Sequence, residues 1–144
     1  MSTAPPQLAS DLRLALGRVS RRLRRLYVEA DPGPSFLELA VLHRLERTGT
    51  SSPSALAGDE GVTSAAVATC LGSLEGRGLV SRSRAPEDGR RIVVIITDQG
   101  RKTLRQRDDA SVKHISRAVA AMSPAERAQL AAAVPLLERL ATEL

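Results

Sequence analysis

The chain's 144 residues, 42% of them hydrophobic, suffice for one domain with a core and a small second layer, and exclude two large independent domains. Lys and Arg number 21 against 16 Asp and Glu, a net charge of +5 with a pI near 10.6, so an anionic partner is expected; nucleic acid and an acidic membrane surface both qualify. Phe36 and Tyr27 are too few aromatic rings for the stacking platforms that read RNA or single strands, which leaves duplex DNA ahead. No run approaches the ~18 apolar residues of a membrane-spanning helix, and the opening "MSTAPPQLAS" has neither a basic start nor an apolar stretch, so a cytoplasmic protein without a signal peptide is expected. Cys70 has no intrachain partner, and with only His43 and His114 beside it no metal-ligand spacing appears; neither a metal nor a cofactor is expected.

From Leu8 to Ala30, the residues Leu12, Leu16, Val19, Leu23 and Leu26 recur at spacings of four and three, the seam of a helix that packs on another helix. Asp31, Pro32, Gly33 and Pro34 predict its end. Ser35 with Glu38 three positions on forms a capping box for a second helix whose apolar face is Leu37, Val41, Leu42 and Leu45, with Gly49 as its stop. Ser52 and Pro53 open a short third helix running to about Asp59 and turning at Gly61; Thr63 caps a fourth with Val67, Leu71 and Leu74 at helical spacing and Gly78 beyond its end. Two short helices about a tight glycine turn form a helix-turn-helix pattern, weak evidence alone because antiparallel helix pairs are common.

Leu79 to Arg84 and Arg91 to Thr97 then read as strands flanking a turn with Pro86 and Asp88-Gly89, with the water-averse run Ile92 to Ile96 expected to bury and anchor the hairpin. Thr97 predicts the cap of a long polar helix, and Ser123, Pro124 and Glu126 open a last one, which Pro135 is expected to kink or split.

The stretch "LAGDEGVTSAAVATCLGSLEGRGLVSRSRAPEDGRRIVVIITDQG" carries Leu74-Glu75, Arg77-Gly78-Leu79-Val80, Pro86-Glu87-Asp88, Arg90-Arg91 and Thr97 with Gly100 in an order and spacing that resemble the MarR family of winged-helix transcriptional regulators. The resemblance implies a mainly α fold with a small β-hairpin wing: residues 35–97 as the winged helix-turn-helix, flanked by a dimerisation region of residues 1–34 and 98–144. It implies a homodimer, with Leu12, Leu16, Val19, Leu23, Leu130, Val134, Leu137 and Leu140 expected in its interface. The expected DNA-facing set is Ser54, Thr63, Ser64, Ala65, Ala66, Thr69, Arg77, Arg84, Asp88, Arg90 and Arg91. In the family, the Asp-x-Arg matched by Asp88-Gly89-Arg90 places an arginine in the minor groove, oriented by the aspartate. The recognition helix lacks the arginine, asparagine or glutamine of a bidentate base contact, so affinity is expected to lean on phosphates, wing and DNA shape.

Helices one and two border the family's effector pocket, where Arg21 and His43 are the candidates for an anionic or aromatic ligand, weighed against a solvated basic face and an ordinary rim histidine. Cys70 is expected to pack rather than to sense oxidants. The leading reading is a ligand-tuned dimeric repressor on a pseudo-palindrome; a constitutive DNA-binding or protein-interaction module is the alternative. An enzyme ranks last, since the chain has no nucleophile elbow and no phosphate-cradling glycine loop.

Overall fold

The computed structural model describes residues 4–29 and 33–144; Ala30, Asp31 and Pro32, expected at the end of the first helix, lie outside the described residues. The elements in order are α1 (Pro5–Glu29), α2 (Phe36–Thr48), β1 (Thr50–Ser51), α3 (Pro53–Glu60), α4 (Ser64–Gly76), β2 (Val80–Arg84), β3 (Ile92–Ile96), α5 (Asp98–Ala120) and α6 (Pro124–Glu143). Contacts gather residues 1–108 into one compact unit and residues 109–144 into a second.

Helix α1 starts earlier than its leucine seam required, because prolines at the first turn lack only N–H groups that have no helical partner there, and the Ala4 carbonyl accepts from Gln7 and Leu8 at 3.0 and 3.1 Å. The capping box of α2 is present, with the Ser35 hydroxyl accepting from the Glu38 N–H and the Glu38 carboxylate accepting from the Ser35 N–H. Its interior face is Leu39, Val41, Leu42 and Leu45; Leu37, expected there, is only partly buried. Those residues pack with Leu56 and Ala57 of α3, Val67, Cys70, Leu71 and Leu74 of α4, Leu79, Val80, Val94 and Ile96 from the hairpin, and Leu104 of α5 into one core.

The sheet has three antiparallel strands in the order β1-β3-β2, with Val80 opposite Ile96, Arg84 opposite Ile92, and Thr50 opposite Ile95. The strand β1 was not anticipated. The expectation that all of Ile92 to Ile96 buries is corrected: Val94 and Ile96 are fully buried, while Ile92 and Ile95 are 39% and 40% exposed. Alternate side chains point to opposite faces, and Ile92, although in phase with Val94, lies past the core toward the hairpin's tip.

At the junction of hairpin and α5, the Thr97 hydroxyl accepts from the Gly100 N–H at 3.0 Å as an N-cap and donates to the Gly78 carbonyl at 2.6 Å. The Thr97 N–H also donates to the Leu79 carbonyl at 3.0 Å. Gly100 is buried against that strand: a Cβ there would lie 2.1 Å from the Leu79 carbonyl oxygen and 2.7 Å from Ile96 Cγ1.

In the second unit, Ser123 and Glu126 form the expected capping box of α6, and hydrogen bonds from the Ser123 backbone N–H and from the Ser123 side chain hold the Glu126 carboxyl below its usual range. Arg127 closes the turn before it by donating to the Met122 carbonyl at 3.1 Å. Pro135 does not split α6, which continues as one element to Glu143. The proline removes one backbone bond on an exposed helix, where water can take over the Ala131 carbonyl.

Candidate nucleic-acid interface

The turn between α3 and α4 is built by Gly61 in the left-handed conformation (φ 62°, ψ 35°), which caps α3 and lets α4 start at Ser64, three residues later. Thr63 then caps α4, its hydroxyl accepting from the Ala66 N–H at 3.1 Å; the hydroxyl proton is still available to donate outward. Val67, Cys70, Leu71 and Leu74 turn inward, so the opposite ridge presents Ala65, Ala68, Thr69 and Gly72 to solvent. Ala68 and Gly72 were missed from the sequence, although 100° spacing from the buried positions would have found them. Ser64 is exposed, Ala66 is half-buried, and Ser54 is exposed with its hydroxyl 3.3 Å from that of Ser52. Arg77 ends α4, and its guanidinium lies 3.9 Å from the buried carboxylate of Glu38.

The wing loop closes on its own backbone. Ala85 donates to the Arg91 carbonyl at 2.8 Å, and Arg91 donates to the Asp88 carbonyl at 2.9 Å. The Asp88 carboxylate accepts from the Arg90 backbone N–H at 3.0 Å, so it shapes the loop's backbone and leaves the Arg90 guanidinium unheld. Arg84 curls back to donate to the Gly89 carbonyl at 3.3 Å, and Arg82 pairs with Glu75 of α4. Arg90 and Arg91 are exposed and, among the described residues, without an ion pair. They are the cations this loop offers outward.

Cys70 is buried against α2, and its thiol is pushed up to about 11 by loss of solvation and by the nearby Glu38 carboxylate. That argues for a packing role, since the reactive thiolate is suppressed. Cys70 also lines an open cleft of about 550 Å3 with Ser35, Leu37, Glu38, Ala65, Ala66, Thr69 and Ser73. The two effector candidates part company: Arg21 lines a recess on α1 with Arg18, Arg22 and Arg25, while His43 Nε2 lies 3.0 Å from Asp108 Oδ1. No described contact joins them. Of the expected interface residues, Leu16, Val19, Leu130 and Val134 are exposed, and Leu12, Leu23, Leu137 and Leu140 are half-buried. None of the described residues forms a metal-binding group, and none of the helices is long and apolar enough to cross a membrane.

A helix pair with a glycine turn, followed by a β-hairpin packed on the same core, defines a winged helix-turn-helix. The MarR family model matches residues 36–92, the span that builds this unit. The HTH-type transcriptional regulator Mb0904 of Mycobacterium bovis is 31% identical over 143 residues, 99% of each chain. The chain therefore belongs to the MarR family of transcriptional regulators, which are not enzymes. Among solved structures, a transcriptional regulator from Pseudomonas aeruginosa is 38% identical with a TM-score of 0.80 over 94% of each chain. The fold is shared with Bordetella bronchiseptica BpsR, at 22% identity and a TM-score of 0.67 over 91% of this chain and 98% of that one.

Proposed function

We propose that this regulator is a homodimer that binds a pseudo-palindromic duplex through α3, α4 and the wing, represses its own or adjacent genes, and is tuned by a small anionic or aromatic ligand. Residues 35–97 form the DNA-binding part of this reading, and residues 1–34 and 98–144 the dimerising part, working in the cytoplasm where the DNA is. The observation that carries it is the wing: a backbone-locked loop holding two outward arginines, one beside an aspartate that fixes the turn. A guanidinium so placed suits a narrow minor groove, whose negative potential favours its insertion. The ridge of Ala65, Ala68, Thr69 and Gly72 is small and weakly polar, which favours close approach over hydrogen-bonded base readout. Exposed Leu130 and Val134 on α6, with Leu16 and Val19 on α1, supply the apolar surface a partner copy would cover. Ligand tuning draws support from BpsR, whose DNA binding is regulated by 6-hydroxynicotinic acid.

The test is duplex titration across salt. With on the order of 6–10 phosphates neutralised per dimer, affinity falls about 10³- to 10⁵-fold between 50 and 200 mM salt. Arg90→Ala weakens binding by roughly 1–3 kcal/mol without lowering the melting temperature. A flat salt dependence, or an Arg90→Ala variant that binds like the parent, refutes the wing-led reading.

A further inference from the structure

The arginines of α1 are absorbed neither by the core nor by the wing. Arg18, Arg21, Arg22 and Arg25 are exposed and together line a recess of about 180 Å3. At 100° per residue they occupy an arc of about 100°, centred about 130° from the seam of Leu12, Leu16, Val19, Leu23 and Leu26, so a partner helix on that seam leaves them uncovered. From Leu12 to Val28 the sequence has no acidic residue, and among the described residues none of the four has an ion pair. Arg24, on another side of the helix, sits 4.7 Å over the Phe36 ring. The four stand at spacings of three and four, where like charges destabilise a helix. Among the described residues no carboxylate offsets this repulsion, and an external anion would relieve it.

The chemistry of that anion follows from the side chains. Every cation of α1 is arginine and none is lysine. A guanidinium is a planar fork of donors matched to two oxygens of a phosphate or carboxylate, and it stays charged at any physiological pH. Four forks lining one recess exceed what a single phosphate uses. Seven residues of helix rise only about 10 Å, which suits a compact ligand better than a duplex whose phosphates are strung along a groove. We propose that this arginine recess binds a small polyanion with two or more linked phosphates, as in inorganic polyphosphates or nucleoside triphosphates. This deepens the effector reading above by naming the ligand class, moves that role from Arg21 with His43 to Arg21 with its three neighbours on α1, and rests on the chain being ligand-tuned only for its consequence, not for the binding.

The experiment is calorimetric titration of the full chain, free of DNA, with tripolyphosphate, a nucleoside triphosphate, orthophosphate and citrate in parallel. Saturable binding of tripolyphosphate is expected, with orthophosphate and citrate at least about 10-fold weaker. A nucleoside triphosphate that matches tripolyphosphate assigns recognition to the phosphates; one that binds much more tightly adds a contribution from the nucleoside. Arg21→Gln with Arg22→Gln is expected to weaken binding about 10-fold or more while leaving the helical signal and melting temperature unchanged or raised, because like-charge repulsion is removed. Absence of tripolyphosphate binding overturns the proposal, as do equal binding of citrate and a double variant that binds like the parent. If the double variant instead loses duplex affinity with no polyphosphate present, the stripe is a DNA contact and the proposal also falls. Since binding is read without DNA, its failure is distinct from failure of the DNA-binding reading.

Discussion

Replacing Gly100 by alanine tests whether the close seat of α5 on the hairpin holds the winged unit together. The added Cβ would lie 2.1 Å from the Leu79 carbonyl oxygen, so the start of α5 must retreat by about 1 Å to restore an ordinary contact. That retreat lengthens the 3.0 Å bond from Thr97 N–H to Leu79 and the 2.6 Å bond from the Thr97 hydroxyl to Gly78. Losing two such bonds costs about 1 kcal/mol each, and strain from overpacking adds about 1–3 kcal/mol. Better helix propensity returns at most about 1 kcal/mol, so a net loss of roughly 2–4 kcal/mol is expected. For a chain of this length that lowers the melting temperature by about 6–12 °C. Gly72→Ala is the internal comparison, because a Cβ there meets nothing within 4 Å; it should raise stability by about 0.5–1 kcal/mol. Thermal and urea unfolding of both variants at one protein concentration gives the readout. A Gly100→Ala protein that melts at or above the parent's temperature refutes the reasoning.

Arg84→Ala should weaken duplex binding less than Arg90→Ala, because Arg84 spends one donor on the Gly89 carbonyl; equal losses in a DNA titration would contradict that division of labour. Cys70 should resist a disulfide-exchange reagent at pH 8 until the protein unfolds, and labelling as fast as free cysteine would overturn its packing role. With its folded-state pKa raised from 9.0 to about 11, Cys70 adds stability that is fully present below pH 9 and is lost as pH rises through about 11, so alkaline titration should soften the parent more than Cys70→Ala. Leu16→Asp combined with Leu23→Asp should yield monomers or insoluble chain in sedimentation, and a soluble, well-folded dimer would sink the proposed interface.

The starts of α2, α3, α4 and α6 were legible because they rest on local chemistry: Ser35 with Glu38, Ser52 before Pro53, Thr63, and Ser123 with Glu126 each satisfy backbone donors a few residues away. The hairpin was legible for the same reason, through its Asp88-Gly89 turn. The strand β1 was not, since two residues carry no period and Thr50 and Ser51 become extended only by pairing with Ile95 and Val94. Which isoleucines bury was also hidden, because it depends on how far the core reaches along the hairpin. At the interface, residue types and order were visible. The turning of Arg84 onto Gly89 and of Asp88 onto the Arg90 backbone came only with the loop's conformation.

The Thr97 hydroxyl, shared between the Gly78 carbonyl behind α4 and the Gly100 N–H at the start of α5, has a consequence for how a signal could reach DNA. One oxygen ties the end of α4, the root of the wing strand and the base of α5 to one another. Bending α4 against the wing within a subunit would strain these bonds, so a ligand of the proposed dimer would gain more by swinging whole winged units apart. Induction would then appear as a changed distance between two intact heads, out of step with the helical repeat of the operator, rather than as disorder within either one.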